Sequence, residues 1–363
     1  MTIQENVPLA PLTTLQVGGA AHYFAELKRE SEVSEAVQFA RGRDLPLFVL
    51  GGGSNLVVAD SGWPGMVLKI AVGGISTLNP DSKNNDKSNA VLFSVGAGVD
   101  WDDFVAQAVV QNCAGVECLS GIPGSVGGTP VQNVGAYGQE VSDTIESVRA
   151  FDTQTDRIVV LPRPACGFRY RSSIFNTTER GRYIILRVNY RLKRGGTPAL
   201  KYADLQRHFA ERLAAKQMPT LAETRDAVRA IRRSKGMLIV PGDDDCRSAG
   251  SFFKNPVLTE EEFKELAERA SAEGLEIPSY PVVHSEPLDS QHKVSAAWLV
   301  EHSGFAKGYA AGAAGISGKH ALALINRGAA HASDIVALKD EIQQAVQRAW
   351  GILLEPEPVF VGF

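Results

Sequence analysis

The chain mixes two hydrophobic periods, which predicts a protein built from both helices and strands. Trp101 is followed by apolar residues at the spacing of one helix face, and Asp100 precedes it as a suitable N-cap. Between residues 183 and 192, apolar and polar residues alternate instead, as in a half-buried strand. Both patterns recur along the chain and indicate an α/β or α+β fold.

The same reasoning predicts the other elements. A helix is expected where apolar residues fall three or four apart after a capping residue, and a strand where a short run is apolar or alternates. Further helices are predicted from the Ser31 cap to Gly42, from the Thr220–Glu223 capping box through Ile231, after the Thr259–Glu262 capping box, near 294–302 and over 333–350. Further strands are predicted at 47–50 (a buried one), 66–70, 91–95, 157–161 and, at a sheet edge beside Pro358, near the end of the chain.

The length predicts more than one domain, because 363 residues exceed the size at which a single core usually stops growing. We expect two small subdomains over 1–75 and 76–235 and a third domain over 236–363, whose last strand returns to the first subdomain. Residues 79–90 are polar and low in complexity, which predicts a surface loop without chemistry.

Charge and composition exclude several classes of function. The net charge is only −4 and no run of like charges occurs, so a nucleic-acid binder is not indicated. The four cysteines lack metal-ligand spacing and are expected to be reduced core thiols, with no metal site. Neither a signal peptide nor eighteen consecutive apolar residues occur, so we expect a soluble cytoplasmic protein that does not contact membranes.

Two glycine-rich runs carry the strongest chemical signal. Residues 121–138 contain six glycines and two prolines, which excludes a regular helix or central strand. Residues 51–53 are three consecutive glycines directly after a predicted strand. Taken alone, the longer run fits either tight turns or a backbone cradle for an anionic cofactor. The second run shifts the balance towards a phosphate-bearing cofactor.

Common nucleotide-binding motifs are missing from the sequence. No G-x-G-x-x-G opens a helix after a strand, so a Rossmann dinucleotide site is not indicated. The run G-A-A-G-I-S-G-K-H at 312–320 has the wrong spacing for a P-loop. The cofactor cradle, if there is one, therefore has another design.

Five blocks in order along the chain resemble one family, the UDP-N-acetylenolpyruvoylglucosamine reductases. The blocks are L-G-G-G-S-N-L at 50–56, the glycine-rich run at 121–138, F-R-Y-R-S-S-I-F at 168–175, A-G-S-F-F-K-N-P at 249–256 and L-E-P-E at 354–357. The resemblance implies a two-part FAD-binding module of the vanillyl-alcohol-oxidase type followed by a C-terminal α+β substrate-binding domain. It also implies NADPH as co-substrate and a role in peptidoglycan precursor synthesis, and hence in cell shape and division.

The resemblance assigns roles to three residues that the sequence alone would leave unremarkable. Ser251 corresponds to the proton donor, Arg171 to the arginine that binds the substrate carboxylate, and Glu357 to the glutamate that polarises the enol intermediate. Without the family, they would be interpreted as a turn hydroxyl, an ion-paired arginine and a solvated carboxylate. Because a free serine is a poor acid, Lys254 or another neighbour has to assist Ser251.

The resemblance also suggests ligand contacts. For the substrate nucleotide it points to Tyr202, of the subclass with a substrate-closing tyrosine loop, and to Lys235 and Asn255. Otherwise Tyr202 would be a buried tyrosine between strand and helix, and Lys235 a helix-end charge. For FAD the candidates are Gly51, Gly52, Gly53, Ser54, Asn55, Gly121, Gly124, Ser125, Gly127, Gly128, Gln132, Asn133 and Tyr137.

Three departures from the family pattern have structural consequences. Thr129 and Pro130 replace smaller residues and should stiffen the glycine-rich run, Asn176 replaces a frequent lysine near Arg171, and Pro358 replaces a β-branched residue. None removes a proposed catalytic group.

Three functions fit the sequence. They are the NADPH-dependent flavin reductase, a flavoenzyme of the same fold with another substrate, and a non-redox sugar-nucleotide-binding protein that has lost the flavin. The first is favoured because Arg171, Ser251 and Glu357 occur as a set. We expect it to act as a monomer on small molecules.

Overall fold

The computed structural model describes residues 1–78, 89–281 and 291–363. Most of the polar loop predicted over 79–90 lies outside this range. The helices bury the apolar faces that the sequence predicts; Trp101 and Phe104 in the second helix are both essentially inaccessible. The helices are α1 (Glu32–Arg41), α2 (Trp101–Val110), α3 (Ala203–His208), α4 (Ala210–Ala214), α5 (Leu221–Ser234), α6 (Glu260–Ala272), α7 (Ala296–Glu301) and α8 (Ala332–Trp350).

Strands account for most of the remaining regular structure, and many are short. The longest carries the predicted 183–192 alternation. The strands are β1 (Gln4–Pro8), β2 (Ala20–Leu27), β3 (Leu47–Leu50), β4 (Leu56–Val58), β5 (Trp63–Ile70), β6 (Ile75–Leu78), β7 (Ala90–Gly96), β8 (Cys113–Ala114), β9 (Gly135–Ala136), β10 (Gln139–Glu140), β11 (Ile145–Asp152), β12 (Arg157–Pro162), β13 (Tyr183–Arg194), β14 (Val257–Thr259), β15 (Ser279–Pro281), β16 (Gln291–Val294), β17 (Ala310–Ala311), β18 (Ala314–Ile316), β19 (Leu324–Asn326) and β20 (Val359–Val361).

The chain forms two compact units. The first comprises residues 1–7, 21–53 and 64–234, and the second comprises 8–20, 54–63 and 235–363. The last segment of the second unit begins at Lys235, and the predicted domain boundary after residue 235 stays a prediction. The division of the preceding chain into two FAD-binding subdomains at 75 stays a prediction.

The first unit contains three sheets and several helices. One sheet has the order β1-β2-β5-β3, a second has the order β12-β11-β13-β7-β6 with β8 also pairing to β13, and the third is the two-stranded pair β10-β9. In the second sheet, antiparallel pairing sets Val188 opposite Val148 on one side and Val95 on the other. All three valines are fully buried, because a central strand contacts neighbours on both sides. This sheet supports the glycine-rich run.

The second unit contains three small sheets packed with α6, α7 and α8. Their orders are β14-β16-β15, β17-β18-β19 and β20-β4. The final strand β20 pairs in parallel with β4, from the first 75 residues. In this two-stranded sheet β20 has a neighbour on one side only. The edge position predicted for the strand beside Pro358 is therefore confirmed.

Three predicted helix caps are present. The Asp100 carboxylate accepts from the backbone N–H groups of Asp102 and Asp103 at 2.8 and 3.1 Å. Reciprocal capping boxes form at Thr220 with Glu223 and at Thr259 with Glu262. These bonds satisfy N–H groups that the first turn of a helix leaves without internal partners.

Three local predictions need correction. Ser31 does not cap α1 with its side chain; the Glu32 carboxylate instead accepts from the backbone N–H groups of Lys28 and Arg29. Strand β3 is an edge strand in which only Leu50 is buried, so the buried assignment for the whole run was wrong. The helix predicted near 294–302 begins at Ala296, because Val294 ends β16.

Candidate active site

The two glycine-rich runs meet within the first unit. A Cβ placed on Gly52 would lie 2.5 Å from Gly124 Cα, closer than side chains tolerate. Gly53 and Gly124 have φ values of 66° and 128°, in the region that favours glycine. The glycines therefore permit two backbones to touch, as expected for a cradle formed by main chain.

A buried hydroxyl without a partner lies at this contact. Ser125 is only 8% exposed, and its Oγ makes no hydrogen bond within the described part of the chain. A Cβ on Gly51 would lie 2.8 Å from this oxygen. A buried polar group without a bond is costly, so its presence here indicates a ligand that supplies the missing partner.

Backbone hydrogen bonds to Ala97 and Trp101, earlier in the chain, fix the path of the 121–138 run. Gly127 N–H donates to Ala97 O at 2.9 Å, and Trp101 N–H donates to Gly124 O at 3.0 Å. A Cβ on Gly127 would lie 2.7 Å from Ala97 Cβ, whereas one on Gly128 would meet nothing within 4 Å. Gly127 is therefore needed for packing, and Gly128 leaves open space beside the run.

Charged side chains hold Gly121 from both sides, a feature that our sequence reasoning missed. The Asp102 carboxylate accepts from Gly121 N–H at 2.6 Å, while the buried Arg232 guanidinium donates to Gly121 O at 3.0 Å. Arg225 and Arg229 also donate to Asp102. Asp102 follows a helix cap and the arginines lie on α5, so these roles are invisible without the fold.

The environment of Asp102 keeps its carboxylate charged. Burial alone would raise the pKa of Asp102, but hydrogen bonds from Arg225 and Gly121 and the charges of Arg225 and Arg229 outweigh burial and lower it. Burial lowers the pKa of Arg232 from its ordinary value. The first glycine of the run is thus bound by a fixed negative charge and a buried cation.

Thr129 stiffens the glycine-rich run, as its departure from the family pattern predicts. Its hydroxyl donates to Val126 O at 2.8 Å and lies 2.7 Å from the hydroxyl of the fully buried Tyr190. Burial raises the pKa of Tyr190 above its ordinary value, so the phenol stays neutral. The bond ties a short 3-10 turn over Val126–Gly128 to the central strand β13.

Arg171 lies at the tip of a tight turn beside the same run. Its φ is 51°, a left-handed conformation that is unusual for a residue with a side chain. Its Nη2 donates to Gly135 O at 2.9 Å. Such strain persists only where surrounding contacts impose it, and it is frequent at functional sites.

Those surrounding contacts come from a capping box that follows Arg171. Asn176 Oδ1 accepts from Ser173 N–H at 2.9 Å, and its Nδ2 donates to Arg171 O at 3.2 Å. Ser173 Oγ donates to Val131 O at 2.6 Å. Asn176, where the family frequently has lysine, thus contributes hydrogen bonds that shape the Arg171 turn rather than a charge.

Tyr137 and Tyr202 lie side by side in the first unit. Tyr137 was predicted to contact FAD and Tyr202 the substrate nucleotide. Their rings contact edge to face with centroids 5.3 Å apart. Tyr202 precedes α3 and is 42% exposed, so the alternative of a buried structural tyrosine does not hold. An exposed ring at the end of the glycine-rich run is available for ligand contact.

In the second unit, backbone pairing brings two predicted catalytic residues together. Phe253 and Pro356 form an antiparallel bridge, Lys254 N–H donates to Glu355 O, and Glu357 N–H donates to Phe252 O, both at 2.9 Å. Ser251 directly precedes this ladder, and Glu357 is bound to its first residue. The backbone segments that carry Ser251 and Glu357 are therefore joined.

Ser251 has a neighbour that the sequence did not indicate. His320 Nε2 lies 3.2 Å from Ser251 Oγ. The expected assistant, Lys254, forms a 2.6 Å ion pair with Glu355. Because Ser251 and His320 are 69 positions apart in the sequence, neither periodicity nor local spacing could reveal the contact.

Several other predicted ligand residues make internal bonds. Asn55 Nδ2 donates to Glu357 O at 3.3 Å and Asn55 O accepts from Val359 N–H at 2.9 Å, so Asn55 supports the Glu357 segment. Asn255 Oδ1 accepts from Ala296 N–H at the start of α7. Asn133 Nδ2 donates to Glu140 and to Arg169 O, and its Oδ1 accepts from Ser142 N–H.

The remaining candidates are placed as follows. Ser54 O accepts from the Thr14 hydroxyl, which also donates to Ser248 O just before the Ser251 segment. Lys235 is half-buried at the start of the last segment of the second unit. Gln132 is half-buried in the 121–138 run.

Other kinds of site are missing from the described ranges. All four cysteines are buried and free, as predicted. Among residues 1–78, 89–281 and 291–363, His, Cys, Asp and Glu form no group suited to a metal ion. No helix in these ranges is long and apolar enough to cross a membrane.

Comparison with known proteins identifies first the class of protein. Residues 21–161 match a family model described as an FAD binding domain. This match includes both glycine-rich runs and the orphaned Ser125 hydroxyl, so the site fits the cofactor that the resemblance implied. Residues 241–361 match the C-terminal domain of UDP-N-acetylenolpyruvoylglucosamine reductase. The predicted fold class, an FAD-binding module followed by a smaller C-terminal domain, is confirmed.

Full-length relatives then identify the family. The chain is 46% identical over 361 residues to UDP-N-acetylenolpyruvoylglucosamine reductase of Thermobifida fusca, covering 98% of this chain and 97% of that protein. It is 43% identical to the reductase of Streptomyces avermitilis, covering 98% and 94%. A crystal structure of the Thermus caldophilus enzyme (MurB) aligns with TM-score 0.64 and 26% identity, covering 99% and 100%. The chain belongs to the UDP-N-acetylenolpyruvoylglucosamine reductase family of FAD-dependent oxidoreductases.

Proposed function

We propose that this protein reduces UDP-N-acetylglucosamine enolpyruvate to UDP-N-acetylmuramate, with NADPH as electron donor and FAD as cofactor. Family membership over nearly the whole chain supports this function. The structural observation that supports it is the backbone ladder in which Glu357 N–H donates to the carbonyl of Phe252, the residue directly after Ser251. A proton donor and a polarising carboxylate are the two groups that protonation of an enol intermediate requires.

Each proposed role follows from the charge that develops during the reaction. Hydride addition to the terminal methylene carbon leaves negative charge on the α-carbon and the adjacent carboxylate. Arg171 binds that carboxylate, because its planar guanidinium matches two oxygens. Ser251 donates its hydroxyl proton to the α-carbon, and Glu357 polarises the enol form. Binding of the developing charge lowers the barrier more than binding of the substrate alone.

The glycine-rich runs are proposed to hold FAD. Residues 51–53, Gly124 and Ser125 would offer backbone N–H groups, since those of Gly121 and Gly127 already bind Asp102 and Ala97. The Ser125 hydroxyl would add a buried polar contact. FAD, when bound, supplies the hydride chemistry that amino-acid side chains lack. The Asp102 and Arg232 contacts would keep Gly121 in place at the start of the cradle.

Substrate recognition is proposed to involve Tyr202, Lys235 and Asn255. The exposed Tyr202 ring can stack on the nucleotide, and the Lys235 ammonium can pair with the diphosphate. We further propose that the enzyme acts as a cytoplasmic monomer in peptidoglycan precursor synthesis.

Product analysis tests this function directly. Purified protein should be incubated with NADPH and the enolpyruvyl ether in D2O, and the product examined by mass spectrometry and proton NMR. The expected product is the saturated ether, with a deuteron from solvent at the α-carbon. NADPH consumption without this product would refute the substrate assignment, and absence of bound flavin would refute the flavoenzyme class.

A further inference from the structure

We infer that His320 is a positioning residue for the reaction: it donates a hydrogen bond to Ser251 Oγ and thereby makes the hydroxyl a better proton donor. The inference rests on the proposed function. The observation that supports the inference is the 3.2 Å contact between His320 Nε2 and Ser251 Oγ. Both residues lie in the second unit.

The backbone around the contact fixes its geometry. Phe252 N–H, directly after Ser251, donates to Leu322 O at 2.7 Å, so the two segments are joined beside the side-chain contact. The His320 segment is itself closed by a bond from Ala323 N–H to His320 O at 3.1 Å. Two side chains held on joined backbones lose little freedom when they interact, which favours a defined hydrogen bond.

Lys254, the lysine near Ser251 in the sequence, is paired with another residue. Lys254 Nζ lies 2.6 Å from the Glu355 carboxylate, and its backbone N–H donates to Glu355 O at 2.9 Å. Both bonds tie Lys254 to the segment that leads to Glu357. The imidazole of His320 is therefore the group that the structure sets on the Ser251 hydroxyl.

The proton balance defines what His320 does. The O–H bond of Ser251 breaks and a C–H bond forms at the α-carbon, leaving negative charge on Oγ. The Nε2–H of His320 donates to this oxygen, and its interaction strengthens as the charge develops. Water returns a proton to Oγ after the product leaves. His320 itself gives up no proton.

The experiment compares two substitutions of His320 in the holoenzyme. His320→Gln keeps an N–H donor at a similar distance from the backbone, whereas His320→Leu fills the space without one. Stopped-flow absorbance follows flavin reduction by NADPH and reoxidation by the enolpyruvyl ether separately. We expect His320→Leu to slow reoxidation roughly 10²-fold, as for loss of one donor to a developing oxyanion. Reduction by NADPH should be unchanged, and His320→Gln should restore most of the rate.

Two further readouts separate positioning from folding. Reoxidation of His320→Leu should show a larger solvent deuterium isotope effect than wild type, because proton transfer becomes slower. In long-range 1H–15N spectra of the protein without substrate, His320 should be protonated at Nε2, and Ser251→Ala should shift that nitrogen. His302→Gln serves as control, since this exposed histidine contacts the backbone of α7.

The outcomes distinguish the inference from the function on which it rests. If wild-type protein is not reoxidised by the enolpyruvyl ether, the proposed function fails. If wild type is reoxidised and His320→Leu matches it in rate and isotope effect, the role of His320 alone is refuted. A His320→Gln variant as slow as His320→Leu would refute hydrogen-bond donation as the mechanism.

Discussion

The glycine-rich run and the Ser251 segment are held in place by different means. The run at 121–138 is bound by side chains from surrounding elements, including Asp102, Arg232 and Thr129. The Ser251 segment is held mainly by backbone bonds to residues 322 and 355–357. The first region is built to present main chain to a ligand, and the second to present a few side chains.

This difference determines how each region tolerates change. A main-chain cradle depends on the lack of side chains, so added atoms in the cradle should harm cofactor binding before they harm chemistry. A backbone ladder accepts many side chains, so substitutions on it should change the reaction while leaving the fold intact. The following predictions test this contrast, from the largest expected effect to the smallest.

Ser251→Ala should have the largest effect, and only on one half-reaction. Loss of the proton donor should slow flavin reoxidation by the enolpyruvyl ether roughly 10²- to 10⁴-fold, the usual range for general acid catalysis. Flavin reduction by NADPH should remain near wild type, because Ser251 lies outside the cofactor cradle. Stopped-flow absorbance at the flavin band measures both steps. Equal slowing of both steps would contradict the assignment.

Arg171→Lys should slow the same step by a smaller factor. A lysine point charge cannot replace two parallel N–H donors, and loss of a charged hydrogen bond costs roughly 1.5–3 kcal/mol, or about 10- to 100-fold. Arg180→Lys, at an exposed position in the same loop region, is the matched control. Full activity of Arg171→Lys with unchanged substrate KM would exclude the carboxylate-binding role.

Gly52→Ala should weaken flavin binding. Its Cβ would lie 2.5 Å from Gly124 Cα, so the two backbones must separate, at a cost of roughly 1–3 kcal/mol for such overpacking. Gly73→Ala is the control, because this glycine lies outside both glycine-rich runs and a Cβ there meets nothing within 4 Å. The ratio of flavin to protein absorbance and the Kd for FAD measure the effect. Equal FAD affinity in both variants would show that the close approach is unimportant.

Thr129→Val should reduce stability without abolishing activity. The substitution leaves the buried Tyr190 hydroxyl without its partner, which costs about 1–3 kcal/mol in free energy of unfolding. Denaturant unfolding of the flavin-free protein measures the change. Thr129→Ser, which retains the hydroxyl, should stay close to wild type. If the valine variant is as stable as the serine variant, Tyr190 has another partner.

Glu223→Gln should give the smallest effect, confined to acid solution. Hydrogen bonds from Thr220 N–H, from Arg212 and from the Thr220 hydroxyl lower the pKa of Glu223 to about 2. A lowered pKa stabilises the fold above the ordinary glutamate value near 4.5, and this contribution is lost as the pH falls towards 2. The variant should therefore have a flatter dependence of unfolding midpoint on pH. Parallel curves would contradict the prediction.

The sequence revealed the cradle more fully than the catalytic contacts. Glycines at 51–53 and 121–128 are informative because a backbone contact forbids side chains, and that constraint is visible in composition. Ser251 and Glu357 could be assigned only through resemblance, since a serine and a glutamate are compatible with many environments. Neither the sequence pattern nor the family resemblance indicated His320, because a tertiary contact between separate loops leaves no local pattern.

The polar network around Gly121 was missed for a related reason. Asp102 and Arg232 fall on predicted helices, where position alone gives them no role beyond that of charges near a helix end. In the structure, both bind the backbone of Gly121. Helical spacing predicts which face of an element is buried, but it does not tell which loop will pack against the polar positions.

The visible absorption spectrum of the purified protein tests the central claim most directly. It should be recorded as isolated, after anaerobic NADPH, and after addition of UDP-N-acetylglucosamine enolpyruvate, for wild type and Ser251→Ala. The account predicts a flavin spectrum that bleaches with NADPH in both proteins and returns rapidly with the enolpyruvyl ether only in wild type. A colourless protein that cannot be reconstituted with FAD, or equally fast recovery in both proteins, would contradict it.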